Sequence, residues 1–416
     1  MDPLPAFAIT LVLISVIGIW HRIPPFFTLV GGAIFFGILT GIPPDQLIQA
    51  ITSGLGRVFG LFAIVILSGA IIAKVLDEQG QIEQIVADIR RFARSPATLS
   101  GASAYLLALP VACSITAFII LEPVIRNLEG RDREFRVLVF IAALGSLLSF
   151  GLLYPTPVTM PLFTTFPGGS PLLYDALAIP LSLLLLGCVL LVFRIRAPPG
   201  KTEDQTQPDD PGQQKAGLHW RAWAPLIAIF LAIPVAWALG LSTGSLIQVI
   251  MLAGAATALI LAPAGPRMSG MQRGAKHAGV VIFDICGAGA LASVILASGF
   301  AEAALDGVGA VIPVLFVPFV IAALIQTAQG SRVVTAVVTG GILAGSQVAA
   351  AFEPIPLILM IVAGTFVVSY VTDPYFWIVQ KATDEGVGRV IRNYTLPLAA
   401  CGFVILAVAT ALQLMM

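Results

Sequence analysis

The most concentrated polar chemistry in the chain lies in Gln326–Ala336 (QTAQGSRVVTA), in the middle of an otherwise apolar region. This stretch holds Gln326, Gln329, Gly330, Ser331, Thr335 and one full positive charge, Arg332. A guanidinium near the bilayer interior costs at least ~2.5 kcal/mol unless it lines a cavity or meets an anion. Gly330-Ser331 interrupts helical continuity, and irregular backbone at membrane depth survives only where it is buried in protein or faces water. Together these residues point to recognition of an anionic solute. Arg332 would pair with a carboxylate, helped by the free N–H groups and dipole of the helix that follows, while Gln329, Ser331 and Thr335 hydrogen-bond its other oxygens. The competing reading is an internal ion pair of Arg332 with Asp284 or Asp373, or snorkelling to the surface, with the hydroxyls satisfying the broken backbone.

Similar chemistry recurs at four other places. Ser114 and Thr116 close LPVACSIT (109–116), a polar interruption of the apolar stretch 97–125. Thr156 in YPTP and Thr372-Asp373-Pro374 occupy Pro-containing breaks, where freed carbonyls can coordinate a solute or an ion; the bland alternative is a surface loop. Asp284 sits inside VVIFDICGAGA. A carboxylate out of water could load and release a proton, so Asp284 and Asp373 are candidates for proton coupling; a structural partner for an arginine or a backbone group is the equal alternative at Asp284. Cys113, Cys188, Cys286 and Cys401 show no CxxC or His spacing, which predicts neither a disulfide framework nor a metal site.

The elements that hold these residues must lie in a bilayer. With 416 residues, 58% hydrophobic, 11% charged and a mean hydropathy of +0.98, the chain is an all-α polytopic membrane protein. Zero net charge argues against a nucleic-acid partner. The N-terminal MDPLPAFAITLVLISVIGIW lacks a basic n-region and is expected to be a first spanning helix, not a signal peptide. No GxxxxGK[ST] is present, so an ATP-driven pump is excluded within the chain. No catalytic residue, metal or cofactor is expected. An intramembrane aspartyl protease using Asp284 and Asp373 is the remaining enzymatic alternative, but Phe283 and Thr372 precede the aspartates where such enzymes have Tyr-Asp and Gly-x-Gly-Asp patterns.

Ten stretches are long and apolar enough to span: about 5–20, 24–42, 58–76, 137–153, 176–193, 222–240, 244–262, 279–297, 355–372 and 396–414. Stretches 97–125 and 311–345 are apolar but interrupted. The polar segment 194–220, with KTEDQTQPDDPGQQK, reads as a linker between two similar halves, 1–193 and 221–416. SGAIIAKVLDEQGQIEQI (68–85) overlays CGAGALASVILASGFAEAAL (286–305) at a shift of 219, which also carries Glu83 to Glu302 and Pro155 to Pro374. Lys and Arg fall in alternate loops of the two halves, so the positive-inside rule gives them opposite topology. Both ends of 97–125 are then inside and both ends of 311–345 outside, making each a re-entrant hairpin. The expectation is ten spans and two hairpins in two inverted repeats, termini outside and the 194–220 linker cytoplasmic.

Four motifs carry a family resemblance. Ala328-Gln329-Gly330-Ser331 followed by Val333 resembles the AQGSATVA stretch of the gluconate permease (GntP) family of organic-anion:proton symporters, within the wider ion-transporter superfamily. YVTDPYFWIV (370–379) resembles that family's HVNDSGFWLV, LLYPTPVTMPL (152–162) its HGLVPPHPGPLA, and AKVLDEQGQIEQIV (73–86) its GKLLEDSGGAERIA. The matches run in order along nearly the whole chain. The resemblance implies a multi-pass transporter of a prokaryotic inner membrane, working as a homodimer by an elevator motion. It would import a gluconate-like sugar acid or hydroxy-monocarboxylate with protons; a sodium-coupled carboxylate carrier is the nearest alternative. Three positions depart from the family: Arg332-Val333-Val334-Thr335 replaces Ala-Thr-Val-Ala, Tyr154-Pro155-Thr156-Pro157 lacks a His, and Thr372 replaces an Asn.

Overall fold

The computed structural model describes the chain except residues 21–22, 91–94, 112, 127–131, 197–217, 242, 301–302, 304–311, 371 and 416. The expected linker thus lies almost wholly outside the described residues. Regular structure among the described residues is helical. In the first part of the chain run α1 (Pro3–Trp20), α2 (Pro25–Thr40), α3 (Pro44–Glu78), α4 (Gln81–Arg90), α5 (Pro96–Val111), α6 (Ser114–Arg126), α7 (Asp132–Leu152), α8 (Thr159–Thr165) and α9 (Pro171–Arg196). There follow α10 (Trp220–Ala238), α11 (Thr243–Leu261), α12 (Ala264–Ala297), α13 (Val317–Gln329), α14 (Arg332–Leu343), α15 (Gln347–Ala350), α16 (Pro354–Val367), α17 (Pro374–Thr383), α18 (Val387–Val390) and α19 (Leu396–Met415). Proline opens α1, α2, α3, α5, α9, α16 and α17. Its missing N–H is no loss in a first turn, where that group has no intrahelical partner.

The molecule is a polytopic, mostly helical membrane protein. Pro44–Glu78, Glu134–Leu152, Pro171–Ile195, Ala264–Ala297 and Val387–Met415 are long and apolar enough to cross a bilayer, and eight shorter apolar helices accompany them. Each of the ten expected stretches falls on a helix, 355–372 only as far as Val367. Parts of several stretches expected as loops are helical too: α3 starts at Pro44 and α12 at Ala264, while α4, α8 and α17 lie within 77–96, 154–175 and 373–395. These turns are amphipathic, so a search for purely apolar windows passes over them. In α4, Ile82, Ile85, Val86 and Ile89 are buried at helical spacing.

Helix boundaries recur along the chain. Shifted by 219, α3 coincides with α12 to within one residue at each end, and α5 and α6 fall on α13 and α14 within two. Gly80 and Gly299, also 219 apart, both take positive φ (61° and 71°) just beyond α3 and α12.

Two compact units are present, each drawing on both halves of the sequence. The first comprises Met1–Leu67, Leu147–Ser182 and Lys276–Met416. Its helices meet through small residues: a Cβ on Gly364 would lie 2.6 Å from the carbonyl oxygen of Phe319, and one on Gly402 2.9 Å from that of Ala363. Such close approach replaces the hydrophobic driving force that lipid cannot supply between helices.

The second unit comprises Ser68–Ser146 and Leu183–Ala275. Within it Gly270 and Gly274 of α12 bring that helix onto the backbone of Val75 and Ile71 in α3. A carboxylate fastens the start of α10: Asp88, 1% exposed, accepts the backbone N–H of His219 at 2.9 Å and the indole N–H of Trp223 at 3.0 Å, with His219 Nδ1 2.9 Å from its other oxygen. Burial pushes this carboxyl up, but the hydrogen bonds from His219 and Trp223 outweigh it and hold Asp88 below the ordinary carboxylate range. A depressed pKa adds stability that is complete above the ordinary carboxylate range and lost as pH falls through the folded-state value. Asp88→Ala should therefore lower stability by about 1–3 kcal/mol at neutral pH by stranding the donors. In detergent unfolding the difference from wild type should shrink in acid; an equal difference at neutral and acid pH would remove the titration from the account.

Candidate functional site

Gly330 is what allows the polar centre of the first unit to form. After α13 it takes a left-handed φ of 67° and donates its N–H to Gln326 O, ending that helix as Gly does without steric cost. Ser331 then caps α14, its hydroxyl accepting from Val334 N at 3.4 Å. The second break, before α17, lies directly against the first. A Cβ on Gly330 would stand 2.2 Å from the carbonyl oxygen of Thr372, and the Thr372 hydroxyl donates to Thr327 O at 2.8 Å.

Arg332, the first residue of α14, is 5% exposed. A cation at a helix N-terminus opposes the dipole, so it needs an anion nearby. Asp373 supplies it: Arg332 Nη1 lies 3.4 Å from Asp373 Oδ2, and Asp373 is 2% exposed. The carboxylate has further donors, since Ser369 Oγ donates to it in a short contact and the Tyr394 hydroxyl donates at 3.3 Å. Its other oxygen caps α17 through Tyr375 N at 2.8 Å. Arg332 Nη2 donates to Ser369 Oγ at 3.1 Å, and the guanidinium lies 5.9 Å from the Phe366 ring centroid, a cation–π distance. One turn along α14, Thr335 donates to Gln326 Oε1 at 2.8 Å.

This network is incomplete. Arg332 Nε and Gln326 Nε2 are buried donors with no partner among the described residues, and a buried donor left unmade costs about 1–3 kcal/mol. An oxygen-rich acceptor reaching them would remove that cost while meeting a guanidinium.

Of the expected residues, Gly330, Ser331, Arg332, Thr335, Thr372 and Asp373 come together here. The side chain of Gln329 lies outside the described residues. Thr156 belongs to the same unit, its hydroxyl 3.2 Å from that of Thr159, which donates to Leu153 O. Asp284, on α12, accepts the N–H of Phe26 at 3.2 Å in the first turn of α2. Ser114 and Thr116 belong to the second unit; both are buried, and Thr116 Oγ1 donates to Cys113 Sγ at 3.2 Å. Ser369 and Tyr394 escaped the sequence reading, as did Asp175, which accepts from Tyr154 N at 2.9 Å. The 219-residue register links them: it carries Tyr154 to Asp373 and Asp175 to Tyr394. The two halves thus hold a tyrosine and an aspartate in exchanged order.

The chain matches the GntP family permease profile over residues 3–262 and 224–415. It is 26% identical to a gluconate permease of Zymomonas mobilis, over 98% of this chain and 97% of that protein. It is 23% identical to the high-affinity gluconate transporter of Escherichia coli K12, over 97% and 98%. The crystal structure of the YdaH transporter of Alcanivorax borkumensis, described as having an unusual topology, shares the fold: TM-score 0.59, 15% identity, 89% of each chain.

The ion pair and the chain break make separable predictions. Removing one partner of a buried pair costs about 3–5 kcal/mol because a charge is stranded. Arg332→Met and Asp373→Asn should each lower stability in detergent on that scale, and the double variant should lose less than their sum. Additive losses would show that the two charges are not coupled. Gly330→Ala should lower the unfolding temperature, since its Cβ meets the Thr372 carbonyl and its φ strains an L-residue by about 1–2 kcal/mol; a variant as stable as wild type would contradict the contact.

Proposed function

Because the chain belongs to the GntP family of permeases, we propose that it is a secondary active importer of a gluconate-like sugar acid or hydroxy-monocarboxylate, moved together with protons. It is a permease, not an enzyme. The names of the Zymomonas mobilis and Escherichia coli relatives support gluconate or a close analogue as the solute. The observation that carries the site is the buried Arg332–Asp373 pair at two abutting chain breaks, with Arg332 Nε and Gln326 Nε2 left over as donors.

Charge balance gives the coupling. With Asp373 ionised, its charge cancels that of Arg332, and adding an anion would leave a net negative charge out of water, which is costly. With Asp373 protonated, the arginine is uncompensated, and one carboxylate restores neutrality. Proton and anion therefore enter together or not at all. Arg332 holds the carboxylate, Gln326, Ser331 and Thr335 meet the hydroxyls, and the N-terminus of α14 adds its dipole. Gln329, Thr372 and Thr156, in the same unit, are further candidate contacts. The proton is assigned to Asp373 ahead of Asp284 because Asp373 is the carboxylate paired with the arginine that would hold the anion.

The same reading has α5–α6 and α13–α14 as re-entrant pairs among ten crossings, in two inverted repeats whose elevator motion serves a homodimer. The termini lie outside and the linker in the cytoplasm of a prokaryotic cell. The recurrence of helix boundaries at 219 residues supports the repeats.

Uptake of labelled gluconate and related hydroxy acids into proteoliposomes tests this. An inward proton gradient should drive concentrative uptake. Arg332→Ala should abolish it, and Asp373→Asn should remove the response to the proton gradient while exchange of labelled for unlabelled solute persists. Uptake driven by sodium alone would transfer the coupling to that ion, and full proton-driven uptake by Asp373→Asn would remove Asp373 from it.

A further inference from the structure

A second cation of the first unit faces open space. Where α3 and α12 cross, Gly54 and Gly289 touch backbone to backbone: a Cβ on Gly54 would lie 2.2 Å from Gly289 O, and one on Gly289 2.5 Å from Gly54 O. One turn along each helix the same faces carry Arg57 and Ser293. With Thr164 and Thr165 of α8 and the later turns of α14 they line a cleft of about 410 Å³. Among the described residues no carboxylate lines it, and Arg57, Thr165 and Ser293 make no hydrogen bond or ion pair. Arg332 is committed to an aspartate; Arg57 is not.

We propose that this cleft is a binding site for the carboxylate of a small hydroxylated organic anion, with Arg57 pairing the charge and Ser293 and Thr165 bonding the hydroxyls. A lone guanidinium on the wall of a concave cleft sets up a positive field there and concentrates anions. Val337 and Gly341 line the cleft from α14, whose first residue is Arg332, so the anion waits about one and a half to two and a half helical turns from the buried pair. This is a staging site for the transport centre, and it rests on the reading of the solute as a small organic anion.

The test places a thiol in the cleft by Thr164→Cys, in the full chain with its four native cysteines replaced by alanine. Labelling in proteoliposomes is timed with an anionic and a cationic methanethiosulfonate. Arg57→Gln should lower the anionic-to-cationic rate ratio by about tenfold, the scale of one lost charge-assisted contact, and Arg57→Lys should retain most of it. Gluconate should slow labelling when Arg57 is present and lose that protection in Arg57→Gln. A ratio unchanged by Arg57→Gln, or protection that survives it, overturns the site, including the case where an anionic lipid headgroup fills the cleft and excludes the solute. If wild type takes up no sugar acid, gluconate falls from the earlier reading. The rate ratio still decides whether Arg57 draws anions into the cleft.

Discussion

A single charge out of water sets the terms for the first unit. Arg332 begins a helix whose dipole repels it, in a chain that must bury its polar groups against one another. Asp373 answers the charge, and in doing so becomes the N-cap of a second helix. Ser369 and Tyr394 complete the carboxylate's hydrogen bonds from α16's exit and the π turn Ile391–Thr395 before α19. Four parts of the chain are thereby held to one pair of opposite charges. The glycine at 330 permits it, because any side chain there would collide with the second break.

That arrangement suits a carrier better than a static scaffold. A buried ion pair seldom adds net stability compared with apolar packing, so its presence in an apolar core asks for another reason. A pair that a proton and an anion can divide between them supplies one. The unpartnered Arg332 Nε and Gln326 Nε2 fit the same logic, being donors that a rigid structural network would have satisfied.

Much of this was legible in the residues. Apolar runs marked helices, two prolines marked chain breaks, and the polar break at 330–331 stood out because such residues are rare at membrane depth. Arg332 and Asp373 were both legible as candidates, and their ion pair is the alternative that the sequence offered beside solute contact. Ser369 and Tyr394 were not, since a neutral hydroxyl on an apolar helix gives no signal until a charge is seen beside it. Asp175 reads as an ordinary interfacial residue at the start of a span; only the 219-residue register would have matched it to Tyr394. Helix extents were underestimated wherever an amphipathic turn preceded an apolar one, as at 44–57 and 264–278. Arg57 lies on such a turn, where composition alone makes it a surface charge.

The interleaving of the two units bears on how the chain is made. Asp88 is buried against His219 and Trp223, which follow it by 131 and 135 residues. At a synthesis rate of about 5–20 residues per second, these partners leave the ribosome roughly 7–27 s after the carboxylate does. During that interval Asp88 lacks the N–H donors that satisfy it in the folded chain. The clasp closes only when α10 arrives, so the first half of the chain is inserted in a provisional form that the second half completes.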